Sequence, residues 1–103
     1  MEKNTPHYDL AVIKAEVRRL GRQAFTKTAE KTGLDLGFSF TEMREIVFEL
    51  QNRMLYKSMT SYDDHRVWQD MYHINSKDLE IYIKVTYRPG GGPPTISFKE
   101  KNP

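Results

Sequence analysis

LEIYIKVTYR, residues 79–88, alternates along most of its length. Leu79, Ile81, Ile83 and Val85 form an uninterrupted apolar row, with Tyr82 and Lys84 between them. A period of two predicts a strand with one face on a core and the other open, so Tyr82 and Lys84 are expected on the open face. Thr95–Lys101 reads the same way: Ile96 and Phe98 point inward, which turns Ser97, Lys99 and Lys101 to the far side. Two strands therefore present Tyr82 and Lys99 to one open surface.

Met54–Thr60 and Val67–Ile74 complete four predicted strands, joined by polar or glycine-rich links containing SYDDHR, NSKD and PGGGPP. Links this short make successive strands antiparallel, because a parallel return needs a crossover of about a dozen residues or more. Pattern alone does not orient the first pair, since Leu55 and Met59 flank Lys57 while Val67 and Met71 flank Gln69. If Tyr56, Trp68 and Tyr72 are the core-facing set, Lys57 and Gln69 join the open face, and Asp70 turns inward and needs a partner.

Before residue 54 the period is helical. Thr5-Pro6 suits a helix start, Leu10, Ile13, Val17 and Leu20 make an apolar stripe, Lys14, Arg18 and Arg22 make a basic row, and Gly21 is the expected end. The basic row reads as a solvated face, with phosphate or an acidic partner as the alternative. Thr26–Thr32 is a weaker helix stopped by Gly33. Ser39-Phe40-Thr41-Glu42 matches a capping box, and Phe40, Met43, Ile46, Val47 and Leu50 follow as one apolar face. Helices first and strands after predict an α+β fold, N-terminal helices on a mainly antiparallel sheet, in one domain over residues 1–103.

Composition agrees with a globular chain: 103 residues, 29% charged and net charge +2. So mild a balance does not announce a nucleic-acid binder, and any RNA would be held by a few placed cations. With no cysteine there is no disulfide framework or thiolate metal site, and the cytoplasm is the expected location. The start, MEKNTPHYDL, lacks the apolar stretch of a secretory signal, and LEIYIKV is too short to span a bilayer. His65, Asp63, Asp64, Asp70 and His73 lie near one another in sequence without metal-ligand spacing, so no metal is expected.

The runs YKSMTSYDDHRVWQDMY and SFKEK, with the opening MEKNTPH, resemble the MqsR family of bacterial toxins over nearly the whole chain. The RPGGGPP link differs from that family in being longer and richer in glycine and proline. The resemblance implies a RelE-like fold and a toxin that cleaves single-stranded messenger RNA at GCU-like triplets, without metal or cofactor. It also implies a partner, an antitoxin that binds zinc and DNA, so that DNA is reached only through that protein. The family's proposed catalytic set, two lysines, a glutamine and a tyrosine, falls here on Lys57, Gln69, Tyr82 and Lys99. Tyr56, Tyr62, His65 and Lys84 are second-tier candidates for substrate contact, Tyr62 and His65 because a connecting loop can stack or hydrogen-bond a base.

Metal-free cleavage of RNA uses the substrate's own 2′-hydroxyl as nucleophile. The protein must remove a proton, steady a charged phosphorane and protonate the leaving oxygen. A lysine, at about 10.4 when free, must fall to about 7 to act as a base, and two lysines sharing a site would depress each other. That expectation assigns Lys57 and Lys99 to phosphate stabilisation and proton transfer in unassigned order, Tyr82 to orienting or protonating the phosphate, and Gln69 to the ribose or a base edge. The competing reading is a non-catalytic regulator, or an inactivated toxin acting through its antitoxin. On residue type alone, a strand lysine is edge protection, Tyr82 a cross-strand packing residue and Gln69 a polar filler.

Overall fold

The computed structural model describes residues 1–87 and 94–101. In chain order its elements are β1 (Glu2–Lys3), α1 (Leu10–Leu20), α2 (Lys27–Asp35), α3 (Phe40–Glu49), β2 (Leu55–Thr60), β3 (Trp68–Ser76), β4 (Leu79–Thr86) and β5 (Thr95–Glu100). The strands make one antiparallel sheet in the order β1-β2-β3-β4-β5. Three helices cover one of its faces, which is the α+β architecture the patterning predicts. Ile81, Ile83, Val85, Ile96 and Phe98 are buried against Ile13 and Val17 of α1, Ala29 of α2, and Met43, Ile46 and Val47 of α3. The RPGGGPP link lies outside the described residues, apart from its final proline.

The capping box at α3 forms in both directions: the Glu42 amide donates to Ser39 Oγ at 3.1 Å and the Ser39 amide to Glu42 Oε1 at 2.8 Å. Gly21, at φ +60°, caps the end of α1 as its position suggests. The start of α1 is later than Thr5-Pro6. Asp9 is the cap, accepting from the Ala11 amide at 2.9 Å. The segment before it is tied to the sheet instead: the His7 and Tyr8 amides donate to the Asp70 carboxylate at 2.9–3.1 Å. With Ser58 Oγ at 2.6 Å, these are the partners a fully buried Asp70 requires. The anchored segment also lays Glu2 and Lys3 beside β2, opposite Met59 and Ser58, adding a strand to the four expected.

Gly33 does not stop α2, which runs on to Asp35 with Thr26 as its cap. Its role is close approach: a Cβ at Gly33 would lie 2.3 Å from the Met43 Sδ, where α2 crosses α3. Gly33→Ala gains about 1 kcal/mol of helix propensity and loses about 1–3 kcal/mol to overpacking against a fully buried Met43. The variant is expected to be less stable by about 1 kcal/mol, read as a lower urea midpoint at unchanged slope. A higher midpoint would mean that the contact relaxes freely.

The basic row, Lys14 and Arg18 on α1 and Arg22 just past its end, is packed rather than simply solvated. Arg18 lies 4.5 Å over the Phe48 ring, Arg22 lies 5.0 Å over Phe40 and pairs with Glu30, and Lys14 donates to the Leu50 carbonyl.

Candidate active site

The open face is set by strand register. Lys77 and Asp78 form a two-residue hairpin loop with φ of +50° and +62°, the left-handed pair that matches strand twist. Counting back from it puts His73 opposite Tyr82, and Tyr82 is in turn opposite Lys99. One step along, Met71, Lys84 and Ser97 form the next row, and Gln69, Thr86 and Thr95 the one after.

Of the three aromatics expected in the core, only Tyr72 is fully enclosed. Trp68 is half-buried outside the core cluster, which corrects its core assignment; it stacks on His7 at 4.8 Å with Lys3 over its ring at 4.3 Å. Tyr56 is 54% exposed, which corrects its core assignment. The cause is a bulge in β2: Leu55 opposes Tyr72 and Lys57 opposes Met71, so Tyr56 is the extra residue. Tyr56 and Lys57 therefore both reach the open face. Tyr56 stacks on His73 at 4.6 Å and 17°, and His73 tilts against Tyr82 at 5.3 Å. Lys57 Nζ is 5.3 Å from the Tyr56 ring centre and Lys99 Nζ is 5.2 Å from that of Tyr82. The result is an aromatic row, Tyr56–His73–Tyr82, with an ammonium group at either end.

Lys57, Tyr82 and Lys99 thus meet around one row. Gln69 shares their face but stands four residues along β3 from His73, about 13 Å at strand rise. Beside the row, Met71, Tyr82, Lys84, Ser97 and Lys99 line a cleft of about 270 Å³ walled by Thr26, the cap of α2, and by Thr28 and Thr32 within it. That wall is fixed by a hydrogen bond from the Thr26 amide to the Ile96 carbonyl at 3.1 Å. Lys84, a second-tier candidate, lines this cleft. Tyr62 is 97% exposed and His65 is exposed on the β2–β3 connection, clear of the row. Among the described residues no three His, Cys, Asp or Glu side chains converge as a metal site would require.

The electrostatics differ from the expected pair of mutually depressed lysines. Glu2, delivered by β1, lies 3.1 Å from Lys57, and its hydrogen bond and charge push the ammonium upward. Lys57 is therefore a firmly charged group, suited to holding a phosphate and unsuited to accepting a proton. Burial pushes the Tyr82 phenol up, opposed by the Lys57 charge, so at neutral pH it is a donor; its hydroxyl donates to Met71 Sδ. Burial holds the His73 imidazole below its usual value, with Lys101 adding to the effect and Glu80 opposing it. His73 is neutral near pH 7. Neither Glu2 nor His73 was picked out for this surface by residue pattern. A two-residue strand has no period to read, but His73 was reachable by counting register back from the Lys77-Asp78 loop.

Residues 5–100 match the family described as "Motility quorum-sensing regulator, toxin of MqsA". The chain is also 37% identical over 101 residues to the mRNA interferase toxin MqsR of Escherichia coli (strain K12), an alignment that covers 98% of this chain and 100% of that protein.

Proposed function

Because this chain belongs to the MqsR toxin family, we propose that it is itself an mRNA interferase, the toxin of a toxin–antitoxin pair. It cuts single-stranded messenger RNA at GCU-like sites by metal-free attack of the 2′-hydroxyl and thereby blocks translation. The observation that carries this reading is the aromatic row Tyr56–His73–Tyr82 with Lys57 and Lys99 at its ends. Ammonium groups on both sides of a stacking surface suit a strand whose bases stack while its phosphates are neutralised. Lys57 and Lys99 hold the scissile phosphate, Tyr82 donates a proton to it or to the leaving oxygen, and Gln69, farther along the strand, bonds a neighbouring ribose or base edge. Tyr56 stacks a base, and Lys84 contacts phosphate from the cleft. Tyr62 and His65 extend that contact from their loop. The cognate antitoxin is a zinc- and DNA-binding protein of the MqsA kind.

The purified, folded chain is expected to cut a defined transcript in the presence of a chelator, with primer extension mapping the cuts to GCU-like triplets. An intact transcript would favour the non-catalytic regulator instead. Grip on a non-cleavable strand should weaken with salt, log affinity falling by about 0.7 per phosphate neutralised. With Lys57, Lys84, Lys99 and Lys101 as the cations of the face, a slope no steeper than about −3 is expected.

A further inference from the structure

Two of the groups assigned above are ill suited to take the proton from the 2′-hydroxyl. Lys57 is held charged by Glu2, and the Tyr82 phenol stays protonated. One nitrogen base stands in the middle of the row. His73 is flanked by Tyr56 at 4.6 Å and Tyr82 at 5.3 Å, its side chain is 19% exposed, and its Nε2 is buried with no hydrogen-bond partner among the described residues. Its other nitrogen, Nδ1, faces Glu80 Oε1 at 3.9 Å. Glu80 is in turn fixed by Lys101, whose Nζ lies 3.1 Å from the same oxygen and whose amide donates to the Glu80 carbonyl at 2.8 Å. A carboxylate on one side of an imidazole and an unused lone pair on the other is the arrangement of an oriented general base, and such contacts tighten when substrate binds. A buried polar atom without a partner is itself uncommon and calls for an explanation.

We propose that His73 is the general base of the reaction, with Nε2 accepting the 2′-hydroxyl proton and Glu80 holding the ring through Nδ1. This rests on the ribonuclease reading of the same face. In the step, the 2′-oxygen forms a bond to phosphorus as its proton passes to Nε2, and the bond from phosphorus to the 5′-oxygen breaks. That oxygen takes a proton from Tyr82 or a lysine, which leaves a 2′,3′-cyclic phosphate and a 5′-hydroxyl. The ring lying against His73 is that of Tyr56, half exposed on a bulge and without a hydrogen bond among the described residues, so it can turn outward to admit a ribose.

The charged and titratable groups around the imidazole are Tyr56 and Lys57 from β2, Glu80 and Tyr82 from β4, and Lys99 and Lys101 from β5. Across the 640 Å³ cavity at the end of the sheet stand Lys14, Glu49 and Arg53. Burial dominates this balance and favours the neutral ring. Activity requiring neutral His73 should rise with pH through the imidazole's own value, giving an acid limb in kcat/KM below pH ~6.5.

His73→Phe keeps a ring in the stack, and His73→Gln serves where phenylalanine does not fold. Either is expected to lower single-turnover cleavage by about 10²–10⁴-fold, abolish the acid limb, and leave affinity for a strand with a 2′-deoxyribose at the cut site within threefold. Glu80→Gln should move the acid limb to lower pH, which a purely packing role for His73 would not do. In NMR titrations the His73 value should rise when that deoxy-substituted strand binds. Cleavage within threefold of the unaltered protein by a folded His73 variant, alongside a Lys99→Ala variant that has lost activity, would overturn the base assignment alone. No cleavage by the unaltered protein would overturn the ribonuclease reading and this step with it.

Discussion

Lys99→Ala and Tyr82→Phe are each expected to lower cleavage of a GCU-containing RNA by about 10²–10⁴-fold at saturating enzyme, with the fold unchanged. Both substitutions are structurally mild. Lys99 is exposed on β5 and makes no ion pair among the described residues, so its removal strands no charged partner. Phenylalanine at position 82 retains the ring that packs on His73 and removes only the hydroxyl. Because burial keeps that hydroxyl protonated, the loss in Tyr82→Phe should appear as a missing donor at every pH where the protein is active, without a new titration. The two losses should combine to less than their product, since Lys99 lies 5.2 Å over the Tyr82 ring and the groups share one phosphate. Full activity in both folded variants would remove this face from consideration as the cutting site.

Asp70→Ala is expected to be strongly destabilising. The carboxylate is fully buried and accepts from the His7 and Tyr8 amides and the Ser58 hydroxyl. Alanine leaves three donors without a partner, at about 1–3 kcal/mol each where water cannot reach them. The His7 and Tyr8 ends are only partly buried, so a total of about 3–4 kcal/mol is reasonable. That is a large share of the 5–15 kcal/mol typical of a domain and corresponds to a fall in Tm of about 15–25 °C. Asp70→Asn should lose less, since its amide oxygen still accepts. Residues 1–8 should loosen first, visible as lost protection of the His7 and Tyr8 amides in hydrogen exchange. A Tm within 2 °C of the unaltered protein would show that the segment holds without its anchor.

The stability of the anchor bears on the chemistry, because Asp70 holds the segment that lays Glu2 beside β2, and Glu2 pairs with the Lys57 ammonium. One buried carboxylate on the core side of β3 thus supports an ammonium group on the open side of β2.

The alternation of Leu79–Val85 and Thr95–Lys101 was sufficient to put Tyr82 and Lys99 on one face, because a strand buried on one side cannot slip by one residue without exposing its whole apolar row. The Ser39–Glu42 box and the order of helices before strands likewise determined α3 and the α+β class from local chemistry. Gly33 misled because glycine has two uses. Its absence of a Cβ can end a helix or admit a neighbouring one, and only the position of Met43 separates these. Tyr56 misled because a bulge is a property of two strands together: the extra residue appears when Leu55 and Lys57 are paired with Tyr72 and Met71. β1 has no identity apart from the partner strand some 55 residues away against which it lies. Sequence by itself, then, determined the elements whose hydrogen bonds and apolar periods are local. The tertiary structure alone decided which polar side chains meet, because Glu2 with Lys57, His73 with Glu80 and Asp70 with the N-terminal amides depend on pairings between strands and on contacts between distant segments that no single stretch encodes.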